Sequence, residues 1–132
     1  MEDFIQNILK INKTIIPKLV VNRFVAVFPS AINIEWYLNG EIYEAVFHEN
    51  DLEKLVYLDK TGTIIEVKVN LLLSLIPASI SEIAAKHGEL MNAIEIKSDE
   101  SVTYEIIVRD KDLVRSLIEI DESGIILNKK LL

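Results

Sequence analysis

Tyr43-Glu44-Ala45-Val46-Phe47-His48 and Tyr104-Glu105-Ile106-Ile107-Val108-Arg109 are two stretches of one design, 61 residues apart. Side chains alternate between the two faces along a β-strand. Tyr43, Ala45 and Phe47 therefore oppose Glu44, Val46 and His48, and Tyr104, Ile106 and Val108 oppose Glu105, Ile107 and Arg109. The first set of each is uniformly apolar and is predicted to face a core.

Working outward, each stretch sits inside the same series of elements. Leu52 to Asp59 and Thr63 to Val69 read as strands joined by Asp59-Lys60-Thr61-Gly62, a turn with Gly where a positive φ is wanted. Leu113 to Ile120 and Ile125 to Leu131 match them around Asp121-Glu122-Ser123-Gly124. Val56 and Leu58 pair with Ile118 and Ile120 as core positions. Glu53, Leu55 and Tyr57 pair with Arg115, Leu117 and Glu119 on the open face, and parity adds Tyr37 and Ile64 to that face. Upstream, Ile34 to Leu38 ends in an Asn39-Gly40 hairpin signal, and Ala93 to Lys97 is its counterpart. Further upstream, Pro17 and Pro77 open helices, proline being tolerated in a first turn. Val20, Phe24, Val27 and Phe28 share one helical face, as do Ile80, Ile83 and Ala84. Phe28-Pro29 and Gly88 stop the two helices.

The prolines are 60 residues apart, as are Ile34-Glu35-Trp36 and Ile94-Glu95-Ile96, and the aspartate turns are 62 apart. This order predicts an α+β fold, a tandem repeat of helix plus four-stranded antiparallel meander, with the helices on one face of the sheet. The domain is 1–132, with repeats at about 14–70 and 71–132. Phe4, Ile5, Ile8 and Leu9 make 1–13 an amphipathic leader helix, read as a lid on the core.

Half of the 132 residues are hydrophobic, enough for a packed core. The formal charge is −7, with six basic and ten acidic residues in 1–66 and eight and eleven in 67–132. An evenly acidic chain argues against nucleic acid and anionic membranes as partners. The absence of cysteine excludes disulfides, thiol catalysis and thiolate zinc sites. The longest apolar run, Leu71 to Ile76, is far short of the ~20 residues that span a bilayer. Met1-Glu2-Asp3-Phe4 is not a secretory start, so the chain by itself reads as cytoplasmic.

Candidate chemistry is sparse. His48 with Glu49, Asp51 and Glu53 lacks a second histidine at ligand spacing and reads as an acidic solvated loop. His87 suits a helix C-terminus. Glu44 and Glu105 are equivalent carboxylates on separate strands and read as solvated. No nucleophile elbow, phosphate loop or dinucleotide fingerprint is present. No catalytic residue, metal or cofactor is expected.

The series Phe28-Pro29-Ser30-Ala31, Ile34-Glu35-Trp36, Tyr43 to Phe47 and Leu58 to Gly62, followed by Ile76-Pro77, Tyr104-Glu105 and Ile120 to Gly124, resembles the PepSY-like family of β-lactamase-inhibitor-like (BLIP-like) bacterial proteins. The resemblance runs from about Ile16 to Leu127. It implies helices packed on one face of a curved antiparallel sheet whose other face is free, and it implies export. It carries no catalytic residues. The second helix departs from the pattern at Ala85-Lys86-His87-Gly88.

The function expected is that of a non-enzymatic binding module, inhibitor-like by resemblance, which contacts an unidentified protein through the open sheet face. That face is Tyr37, Glu44, Val46, His48, Leu55, Tyr57, Glu105, Ile107, Arg109 and Leu117. The alternative is a small-ligand or lipid carrier using a groove between helices and sheet. Homo-oligomers are compatible with either.

Overall fold

The computed structural model describes Leu9–Lys10 and residues 15–132. Among the described residues it is an α+β structure with two α-helices and antiparallel strands. Contacts divide the chain into two compact units, Met1–Val67 and Lys68–Leu132. The first contains β1 (Leu9–Lys10), α1 (Lys18–Val27), β2 (Ile32–Asn39), β3 (Ile42–Glu49) and β4 (Leu52–Leu58), and β5 (Ile64–Leu71) carries the chain onward. The second contains a 3-10 turn at Leu73–Leu75, α2 (Ala78–Ala85), β6 (Glu89–Ser98), β7 (Val102–Arg109), β8 (Arg115–Asp121) and β9 (Ile126–Leu131). Within each unit, β1 to β4 and β6 to β9 pair in chain order. Of the expected leader helix over 1–13, only Leu9–Lys10 is described. These two residues pair as a strand with Leu38 and Tyr37; the rest lies outside the described residues.

In the first unit α1 covers one face of the strands. Val20 and Phe24 of the helix and Phe28 at its end are buried against Trp36, Ala45, Phe47, Val56 and Leu58. Phe24 and Phe28 each lie 4.9 Å, centroid to centroid, from Phe47, and Phe24 lies 5.2 Å from Trp36. Such tilted and edge-on pairs add about 0.5–1.5 kcal/mol beyond the area they bury. Val27, expected on this face, is 40% exposed. The buried row is the i, i+4, i+8 line of Val20, Phe24 and Phe28, and half-buried Val21 widens it on the side away from Val27.

The second unit builds its core mainly from aliphatics around one tyrosine: Ile80 and Ala84 of α2 against Ala93, Tyr104, Ile106, Val108, Ile118 and Ile120. The pairing sets large against small. Trp36 stands opposite Ala45 and Ala93 opposite Ile106, so each cross-strand pair joins one large residue to one alanine. Tyr104 is buried, while Tyr43 is half-buried at the margin of its core.

Three turns share one frame. Asp59 Oδ1 accepts the N–H groups of Thr61 and Thr63, Asp110 Oδ1 those of Asp112 and Val114, and Asp121 Oδ1 those of Ser123 and Ile125. The fourth residue of each has a positive φ: Gly62, Leu113 and Gly124. A Cβ at Gly62 would stand 2.9 Å from the Leu19 carbonyl oxygen, so glycine also lets this turn approach α1. The Asn39-Gly40 signal resolves one residue later. Asn39 pairs with Ile42, and the two-residue loop is Gly40-Glu41, with positive φ at its first position only, as a II′ turn requires. Ile64, expected on the open face, packs against the first core. The matching hairpin of the second unit has a bulge between Glu119 and Ile120 on one side and their partners on β9, and such an extra residue reverses strand parity.

Phe47→Ala is expected to destabilise the fold by about 3–5 kcal/mol, because it empties the centre of the aromatic cluster; the shift in denaturant midpoint measures it. The hydroxyls of Thr61 and Ser123, with the turn amides, hold the carboxyls of Asp59 and Asp121 below the usual carboxylate range. The stability they contribute is present above the unfolded pKa of about 4 and is lost as pH falls through the lower folded value. The double variant Asp59→Asn, Asp121→Asn should therefore show a shallower fall in Tm on acidification below about pH 4 than the parent.

Candidate functional site

Strand parity turns Ala45, Phe47, Val56 and Leu58 toward α1 and leaves a second face on the opposite side. On that face the register of β2, β3 and β4 forms three cross-strand rows. Tyr37 faces Glu44, which faces Tyr57; Glu35 faces Val46, which faces Leu55; Ile32 faces His48, which faces Glu53. The six residues assigned to this part of the open face thus lie together in the first unit. Glu105, Ile107, Arg109 and Leu117 lie on the corresponding face of the second unit, opposite its helix-facing core.

The Tyr37–Glu44–Tyr57 row is chemically distinct. Glu44, expected to be solvated, is only 8% exposed, with a tyrosine opposite it on each flanking strand. The Tyr37 hydroxyl donates to Glu35 Oε2 at 2.7 Å. That bond, then burial, then the charges of Glu35 and Glu44 push the Tyr37 phenol above its ordinary pKa. Burial, followed by the charges of Glu44 and Glu66, does the same for Tyr57. Glu35 and Glu66 were absent from the expected set. The signal for Glu35 was its parity with Tyr37.

The second unit differs in kind. Glu105 faces Ile94 and Glu119 rather than tyrosines. Ile107 faces Leu117 and both are half-buried, an aliphatic patch. Arg109 Nη2 lies 3.2 Å from Glu89 Oε2 across the strands, a surface pair of small energetic weight.

The His48 cluster read from the sequence is split by alternation. His48 is exposed on the open face, while Glu49 is buried on the other, where it bonds Lys54 Nζ at 2.9 Å and accepts the Ser30 N–H at 3.3 Å. Asn50 and Asp51, both at positive φ, form the two-residue turn between Glu49 and Leu52. A shallow cleft of about 380 Å³ opens beside them, lined by Ser30, Ile32, Asn33, His48, Glu49, Asn50 and Asp51. Among the described residues no group of three or more His, Asp or Glu is arranged to hold a metal. No helix among them is long and apolar enough to cross a membrane.

Removing the Glu44 charge should lower the pKa of both Tyr37 and Tyr57. In Glu44→Gln, part of the phenolate absorbance is expected to develop at lower pH than in the parent, read in an ultraviolet titration. In a Tyr37→Phe, Tyr57→Phe background that low-pH part of the absorbance change should be absent.

No family model matches the sequence, and no curated protein matches it. Solved structures do. A DUF2874 family protein from Bacteroides uniformis superposes with a TM-score of 0.76 at 17% identity, over 87% of this chain and 88% of that one. Another from Bacteroides ovatus gives 0.75 at 17%, over 87% and 86%. A BLIP-like protein from Bacteroides fragilis gives 0.73 at 17%, over 88% and 86%. At this identity the likeness is one of fold, and the fold is BLIP-like.

Proposed function

We propose that this protein is a non-enzymatic binding module that contacts a protein partner through the open sheet face. The observation that carries the reading is the Tyr37–Glu44–Tyr57 row on the face away from α1. Tyrosine offers broad apolar area and a hydroxyl at low entropy cost, which suits it to anchor an interface. Half-buried Val46 and Leu55 border the row, and Ile107 and Leu117 offer an aliphatic patch on the second unit. A fold like that of a BLIP-like protein is consistent with binding and with an inhibitor-like role. PepSY-like membership and export belong to the same proposal. A ligand groove between helix and sheet gains no support from the first unit, where Phe24, Phe28, Trp36 and Phe47 fill that space.

The same reading treats the chain as two copies of one helix-plus-meander unit within a single domain. Its support is positional. Tyr43, Glu44 and Ala45 correspond to Tyr104, Glu105 and Ile106, and Asp59 to Asp121. On the preceding strand, Trp36 opposite Ala45 corresponds to Ala93 opposite Ile106. That offset is 57 rather than the 60 of the prolines, because α2 is two residues shorter than α1 and its connection to the next strand is one residue shorter. Gly88 takes up the short connection. A Cβ there would stand 2.6 Å from the Arg109 carbonyl oxygen.

The test is the double variant Tyr37→Ala, Tyr57→Ala. A partner is first captured from lysate of the source cells, identified and purified. The variant, with an unchanged Tm, is expected to lose about 2 kcal/mol or more of binding energy, about thirtyfold in Kd. Unchanged affinity in a folded variant would remove this face of the first unit from the interface.

A further inference from the structure

Strand β9 pairs with β8 along one edge, and among the described residues no strand covers its other edge. Every residue of β9 is exposed. The Leu132 N–H donates to the Arg115 carbonyl at 3.0 Å. Backbone direction alternates along an antiparallel ladder, so Leu132 and Lys130 turn their amides to β8, and Leu131 and Lys129 turn theirs outward. The outward groups form a row of donors and acceptors shaped for another strand. Beside them, Leu127, Leu131 and Leu132 are 52%, 73% and 62% exposed. Lys129 and Lys130 lie on opposite faces, across from Ile118 and Leu117.

We propose that the outer edge of β9 takes up an extended, acidic strand of a partner protein by β-augmentation. This site is independent of the open-face reading. Backbone bonds to Lys129 and Leu131 supply affinity, and side chains supply selection. Carboxylates on two adjacent partner residues would meet Lys129 and Lys130 on their separate faces. Apolar residues to either side would cover Leu127 and Leu131. A second copy of this chain fits less well. A two-fold axis on Lys129 or Lys130 sets identical ammonium groups opposite each other, and directly opposed like charges destabilise a strand pair. Edge lysines discourage self-pairing, and here they leave an acidic strand as the complementary occupant. Lys129 Nζ lies 3.1 Å from His87 Nδ1, which positions it on the helix side of the edge.

The probe is the peptide acetyl-Thr-Val-Glu-Glu-Val-Thr-amide, added to the whole chain and followed by amide exchange in NMR. The amides of Lys129 and Leu131 are expected to slow by about tenfold or more at saturation. The double variant Lys129→Glu, Lys130→Glu should weaken the peptide by about tenfold or more. Both lysines are exposed, and circular dichroism checks that the variant is folded. A peptide N-methylated at the residues that face β9 should not bind. Three results would overturn the proposal: no slowing at saturating peptide, equal binding of the N-methylated peptide, or equal binding of a peptide with lysine in place of glutamate. Sedimentation of the chain alone completes the test. A dimer that dissociates in Lys129→Pro would assign the edge to a second copy instead.

Discussion

In each of three turns one aspartate oxygen gathers two backbone amides, and two tighter turns, Gly40-Glu41 and Asn50-Asp51, join β2, β3 and β4 in register. Register is what separates the two faces. A slip by one residue would carry Ala45, Phe47, Val56 and Leu58 to the open side and bring Glu44 and Tyr57 against α1. The aromatic cluster and the open-face row are thus two outcomes of one alignment. Leu113 illustrates how firmly the frame is imposed. It adopts φ +65 where the other two turns use glycine, and a branched side chain enters that region only at a cost of about 1–2 kcal/mol.

The two cores reach similar closure by different means. The first packs four aromatic rings beneath one helix; the second packs aliphatics beneath a shorter one. The helix supplies Phe24 in one and Ala84 in the other. On the strands, Trp36 lies opposite an alanine in the first unit and Ile106 lies opposite an alanine in the second. Packing density constrains the sum of side chains across an interface more tightly than any one position.

Much of this was legible in the residues because strand parity is a rigid rule. Tyr43, Ala45 and Phe47, and Tyr104, Ile106 and Val108, could be assigned to the helix side from alternation alone. The ten candidate residues could be assigned to the other side in the same way. The failures mark where parity breaks or does not apply. Ile64, next to the Asp59 turn, packs against the first core although alternation assigned it to the open side. A helix two residues shorter and a connection one residue shorter shifted the alignment of β6, and the backbone approach at Gly88 goes with that short connection. Glu44 could be placed on a face, but not judged buried. Its burial depends on the bulk of neighbours from two other strands, which a linear reading does not bring together.

The burial of Glu44 bears on the thermodynamics of any complex formed over it. A carboxylate standing in water must shed its hydration shell when a partner arrives, and this loss opposes association. At Glu44 most of that shell was already given up during folding. Covering the row would then displace water chiefly from the rings and edges of Tyr37 and Tyr57, where release is favourable. The unfavourable part of dehydration is borne by the stability of the free protein.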